Sequence, residues 1–147
     1  MLGTFRRDVE LAPGDGFRLR RRAGARALSA LLALAGAGWG VFDLWSGRPV
    51  IGAATLALAA AFVLQLIHAE LDTWRFDGRA AVRRGVRVKA AQIRGVEVAF
   101  ASGHAQAWIE TRTGEQYALV EGDETQVRRI ADQLILAVRA ANSETLH

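Results

Sequence analysis

The sequence has no cysteine, so disulfides, thiolate zinc sites and cysteine nucleophiles are all excluded. Lysine is almost missing as well: Lys89 is the single one, and arginine supplies the rest of the positive charge. Three histidines, His68, His104 and His147, stand far apart and form neither an HxxxH nor an HExxH pattern. Four serines (Ser29, Ser46, Ser102, Ser143) lack a nucleophile-elbow context. No phosphate loop and no dinucleotide fingerprint is present. No cofactor and no enzymatic activity are therefore expected.

What the sequence does contain is unevenly spread. Of 147 residues, 51% are hydrophobic, and much of that share lies between Ala27 and Ile67. The run Ala27–Trp45 is nineteen residues long and carries one charge, Asp43. At 1.5 Å per residue a helix of that length reaches roughly 28 Å, close to the ~30 Å hydrocarbon thickness of a bilayer. Trp39, Phe42 and Trp45 gather at its far end, as amphipathic rings do at headgroup level. Asp43, one turn from that end, reaches the interface or pairs with Arg48 or a neighbouring chain. A second run, Pro49–Ile67, has the same length, with Thr55 and Gln65 as its only polar side chains.

Only Ser46, Gly47 and Arg48 separate the runs, and Pro49 opens the second where its missing N–H costs nothing. So short a link makes the two helices antiparallel neighbours. Two buried helices of a soluble protein would need a large surrounding core, which the remaining residues do not supply. A cleaved signal is disfavoured because the first run exceeds the usual apolar stretch and follows a long polar arm.

Positive residues set the expected orientation. Arg6, Arg7, Arg18, Arg20, Arg21, Arg22 and Arg26 precede the first span, and Arg75, Arg79, Arg83, Arg84, Arg87, Lys89 and Arg94 follow the second. The connecting turn carries Arg48 alone. Arginine and lysine stay on the cytoplasmic side, so both termini are expected there; the enrichment in alanine and arginine looks like a GC-rich bacterial genome, so the membrane expected is a bacterial inner one. Arg20, Arg21, Arg22, Arg26, Arg75, Arg83 and Arg84 are then orientation signals or contacts for anionic headgroups. The calculated pI near 10.9 has this explanation, and nucleic acid is not an expected partner.

Small residues mark helix-packing surfaces, because they let backbones approach closely. The first span offers Ala33, Gly36, Ala37 and Gly40, the second Ala53, Ala57 and Ala61. These strips either hold the hairpin together or meet another subunit. Beside the second span, His68 with Glu70 and Asp72 is the densest polar set. It is a solvated helix end or, with His68 as ligand, a place for a metal or a chlorin-type pigment.

The period then changes to that of strands. Thr73–Phe76 and Arg79–Arg84 flank Asp77-Gly78, a hairpin-turn dipeptide. Val86 and Val88 alternate, Ile93–Phe100 is largely period-2, and strands over Ala105–Thr111 and Glu115–Glu121 follow turns at Ser102-Gly103 and Thr113-Gly114. A helix closes the series, with Asp123 as N-cap and Val127, Ile130, Ala131, Leu134, Val138 and Ala141 at helical spacing. Residues 142–147 should fray. Trp74 and Trp108 are core residues or walls of a ligand groove. The segments Thr4–Leu11 and Phe17–Arg22, around Pro13-Gly14-Asp15-Gly16, are either a mobile basic arm or two strands that complete the later sheet.

The resulting expectation is a membrane α-hairpin (27–68) between a basic N-terminal arm (1–26) and an α+β domain (72–141), an antiparallel meander with one C-terminal helix. The order Thr73-Trp74-Arg75-Phe76-Asp77-Gly78-Arg79, Val82-Arg83-Arg84-Gly85 and Ala91-Gln92-Ile93-Arg94-Gly95-Val96-Glu97-Val98 resembles the bacterial pleckstrin-homology-like membrane proteins. The resemblance covers about Ala27 to Ala141 and implies a small β domain after a two-helix hairpin. It carries over no catalytic residue, and it implies a role such as assembly of membrane complexes. The leading expectation is an accessory or assembly subunit of a larger respiratory or photosynthetic membrane complex, with integral membrane subunits as partners. The alternative is a stand-alone lipid- or peptide-binding membrane module.

Overall fold

A computed structural model describes residues 1–14, 16–101 and 103–144. Asp15, Ser102 and residues 145–147 lie outside the described set, and with them parts of the expected turns at 13–16 and 102–103 and the end of the tail. The chain forms two compact units, Arg21–Asp72 and the combination of Met1–Arg20 with Thr73–His147.

The first unit is a pair of helices, α1 (Ala23–Trp45) and α2 (Pro49–Leu71). Each is longer than the apolar run that announced it, because Ala23–Arg26 and His68–Leu71 continue the helical backbone into polar sequence. Both are long and apolar enough to cross a membrane. The link is a tight turn in which Gly47 takes a φ of 77°. The Ser46 N–H donates to the Phe42 carbonyl and the Arg48 N–H to the Asp43 carbonyl, both at 2.9 Å, so the end of α1 keeps its hydrogen bonds as the chain reverses.

The second unit is built from both ends of the sequence. Strands β1 (Val9–Leu11) and β2 (Leu19–Arg21) form one two-stranded sheet. Strands β3 (Arg75–Phe76), β4 (Ala80–Arg83) and β5 (Val86–Lys89) form a second, and β6 (Ile93–Ala101), β7 (His104–Thr111) and β8 (Gln116–Gly122) a third. Helix α3 (Glu124–Glu144) closes the chain. The sheets are thus several small antiparallel ones, where the sequence suggested a single meander. The physical break is at Ala90–Gln92, one 3-10 turn that redirects the chain between β5 and β6.

Local chemistry explains the connections. Asp77 Oδ1 accepts the Arg79 and Ala80 N–H groups at 3.0 and 2.8 Å, closing the β3–β4 turn, and Gly78 there takes a φ of 86°. Asp123 caps α3 by accepting the Thr125 N–H at 3.0 Å. α3 runs on to Glu144, so the expected fraying from Asn142 is not seen at 142–144.

The N-terminal arm joins the β unit. The Leu19 N–H donates to the Trp74 carbonyl and the Phe76 N–H to the Phe17 carbonyl, both at 2.8 Å, which lays β2 beside β3. Farther upstream, Leu2 bridges Tyr117 in parallel and adds backbone to the edge of β8. Val9, Phe17 and Leu19 enter one core with Trp74, Ala81, Val88, Ile109, Leu119, Ile130 and Leu134. The helical pair is therefore an insertion between β2 and β3, which belong to two different small sheets bridged at Arg18 and Arg75.

Candidate functional site

Within the helical unit the two helices meet through glycine and alanine. Ala33 and Gly40 are buried and Gly36 and Ala37 half-buried. A Cβ on Gly40 would lie 2.8 Å from Leu56 Cγ and 3.1 Å from the Gly52 carbonyl oxygen; one on Gly52 would lie 2.8 Å from the Gly40 carbonyl oxygen. The backbones touch there, and only glycine on both sides allows it.

On α2 the strip that meets α1 is a different one from Ala53, Ala57 and Ala61, which leaves those three to the second alternative, a surface for another subunit. Gly52 and Ala59 are buried, with Thr55 and Leu56 half-buried, while Ala53, Ala57 and Ala61 are exposed. The helix is so rich in alanine that several small-residue strips are legible in it. What selects the true one is Gly52, opposite Gly40, and a GxxxG search cannot find a lone glycine.

Asp43 is 2% exposed and sits on the same α1 face, rather than at a solvated end. Its Oδ1 is 4.0 Å from Arg48 Nη1, while Oδ2 is buried without a hydrogen-bond partner. At the other end of the helical unit His68 is exposed, and Glu70 lies 3.7 Å from Arg26 Nε. Among the described residues no group of three His, Cys, Asp or Glu side chains could hold a metal ion.

The basic residues separate into different kinds. Arg20 pairs with Glu10 at 2.9 Å. Arg21 and Arg26 are half-buried, and Arg22, Arg75 and Arg84 are exposed. Arg83 is buried, its guanidinium donating to the Thr4 and Ala118 carbonyls, each at 3.2 Å. That places it in the core as a clamp on the N-terminal segment, where a headgroup does not reach. Its neighbour Trp74 is also core: its indole N–H donates to the same Ala118 carbonyl at 2.9 Å, and its ring meets Tyr117 edge-on. Trp108 is half-buried on the other face of β7, with an indole N–H that finds no partner.

Outside the helices, two carboxylates are held below their ordinary range. Asp77 is lowered chiefly by the backbone N–H groups of Arg79 and Ala80, then by Arg87 and Arg75. Glu121 is lowered chiefly by its hydrogen bond from the Arg7 guanidinium. Both sites are structural ties between segments, Asp77 at the β3–β4 turn and Glu121 between β8 and the N-terminal residues. No family model matches the chain, and neither does any curated protein or solved structure.

Proposed function

We propose that the chain is a non-enzymatic accessory or assembly subunit of a larger bacterial membrane complex, respiratory or photosynthetic. Its helical pair spans the inner membrane as a hairpin and packs against helices of the host. Its β unit, which we read as pleckstrin-homology-like, covers the cytoplasmic face.

The observation that carries this reading is how little of the helical pair its own contacts cover. Of the most apolar window in each helix, 17% and 11% of residues are buried. Core helices of a soluble protein would be mostly covered. Leu31, Leu34, Val50, Leu58 and Leu64 are all more than half exposed, and only lipid or other helices can cover such a surface without penalty. The composite β unit supports the orientation: strands from before α1 and after α2 pair directly, which requires both ends on one side of the bilayer.

Purification in mild detergent tests the function. Co-migration with a large integral-membrane assembly is the expected result, and a small lone particle from native membranes would favour a stand-alone module instead. A reporter fused at Gly47 should behave as external. Release of the full chain from vesicles by alkaline washing would overturn the membrane assignment.

A further inference from the structure

The strand register sorts the basic residues of the β unit onto one surface. Directly opposed residues of antiparallel strands share a face. The pairings Arg18↔Arg75, Arg75↔Val82, Val82↔Arg87 and Ala80↔Lys89 therefore put Arg18, Arg75, Arg87 and Lys89 on one face of β2–β3–β4–β5. The alternate positions Leu19, Trp74, Ala81 and Val88 point into the core. All four cations are exposed. At one edge, Arg79 joins Arg87 and Lys89 along a cleft of about 690 Å³ that also reaches Asn142 and Glu144 of α3. Among the described residues Arg18, Arg75, Arg79 and Lys89 form no salt bridge, and Arg87 shares Asp77 at 2.9 Å.

We infer that this face is a docking surface for anionic lipid headgroups, an inference that rests on the membrane reading above. Three features favour lipid over an acidic protein. The charges are spread over β3, β5 and the residues that lead into β2 and β4, whereas protein interfaces centre on a buried aromatic or aliphatic anchor, and the largest apolar side chain described on this face is half-buried Val82. Arginine and lysine without shape-defined partners suit a fluid array of phosphates. And β2 and β3 are the strands through which the chain leaves for the helical pair and returns, so headgroups are present at high effective concentration. Of the expected set only Arg75 belongs to this group: Arg83 is core, Arg20, Arg21, Arg22, Arg26 and Arg84 are not part of it, and Arg18, Arg79, Arg87 and Lys89 come in.

The full chain, which has no native cysteine, is given one by V82C, labelled there with a fluorophore, and reconstituted into lipid nanodiscs. Acrylamide quenching is compared between discs of phosphatidylcholine alone and discs with about one third phosphatidylglycerol. The label should be at least twofold less quenched in anionic discs, the protection should vanish in 0.5 M salt, where the screening length is about 4 Å, and R75Q/R87Q/K89Q should abolish it. Each such charge is worth about fivefold in partitioning, so the triple variant loses on the order of 100-fold. R128Q/R139Q on α3 should leave protection unchanged. Equal quenching in both discs, or protection indifferent to the triple variant, overturns the inference, as does protection seen only in native membranes that hold other proteins. Co-elution of chain and lipid without detergent reports insertion separately, so failure of the membrane reading is distinguishable.

Discussion

Removing residues 1–20 should unfold the β unit, although everything that looks like a domain in the sequence lies after residue 72. Val9, Phe17 and Leu19 are each at most 2% exposed in the common core. Full burial of such side chains contributes about 2 kcal/mol apiece, together about 6 kcal/mol. Their loss would also strand the main-chain hydrogen bonds that Trp74, Phe76, Gln116, Ala118 and Glu121 make with the arm. Small domains are stable by about 5–15 kcal/mol in total, so the deletion removes a large part of what there is. The comparison needs two soluble proteins: residues 73–147 alone, and residues 1–21 joined to 73–147 through a short Asn-Gly turn in place of the helical pair. Urea unfolding followed by tryptophan fluorescence should give a cooperative transition for the joined protein and none for the fragment. Equal midpoints would refute the reasoning, since the arm would then be a passenger on a self-sufficient domain.

Three further outcomes follow from the packing. Gly52→Leu should cost about 1–3 kcal/mol of hairpin stability by overpacking against Leu44 and the Gly40 backbone, whereas Ala57→Leu should not; cross-linking of a cysteine pair at positions 36 and 59 reads both. Arg83→Met keeps the apolar stem but withdraws the charged donor from the Thr4 and Ala118 carbonyls. It should cost about 2 kcal/mol, seen as a lower urea midpoint of the joined protein. Asp77→Ala should speed exchange of the Ala80 amide at neutral pH. Because the folded carboxylate titrates below its unfolded value, its contribution is present above the unfolded pKa and fades as pH falls through the folded one. The exchange difference from the parent should therefore narrow in acid; a gap independent of pH would contradict the role given to the carboxylate.

The two apolar helices, the Asp77-Gly78 turn and the Asp123-capped helix were legible because each rests on a local signal: a run, a dipeptide, a cap with a 3.6-residue stripe. What was not legible depends on distant partners. Arg83 reads as one more basic residue near a membrane, and only the Thr4 and Ala118 carbonyls make it a core residue. Ala53, Ala57 and Ala61 have the right spacing for packing, yet Gly52 decides which way α2 faces. The arm is ambiguous for the same reason. Three-residue strands carry little periodicity of their own, and their pairing partner at Trp74 is 55 residues downstream of Leu19.

That separation raises a question of how β2 finds β3, since closing a long loop is entropically costly and slow. The helical pair offers an answer in its dimensions. α1 and α2 each have 23 residues, and the turn between them is three residues long. An antiparallel pair of equal helices returns the chain to where it left, and Arg26 and Glu70 meet at 3.7 Å near the open end. On this account we expect the insertion to act as a closed connection that brings β2 and β3 together before they pair. Seven residues added to α2 alone, after Val63, would carry its end about 10 Å past that of α1 while keeping the helical face in register. The β unit should then lose protection of the Leu19 and Phe76 amides from hydrogen exchange. Adding seven to both helices, after Ala30 and after Val63, should restore it. Equal protection in the parent and both insertion variants would show that β2–β3 pairing does not depend on matched helix lengths, and this account of closure would fail.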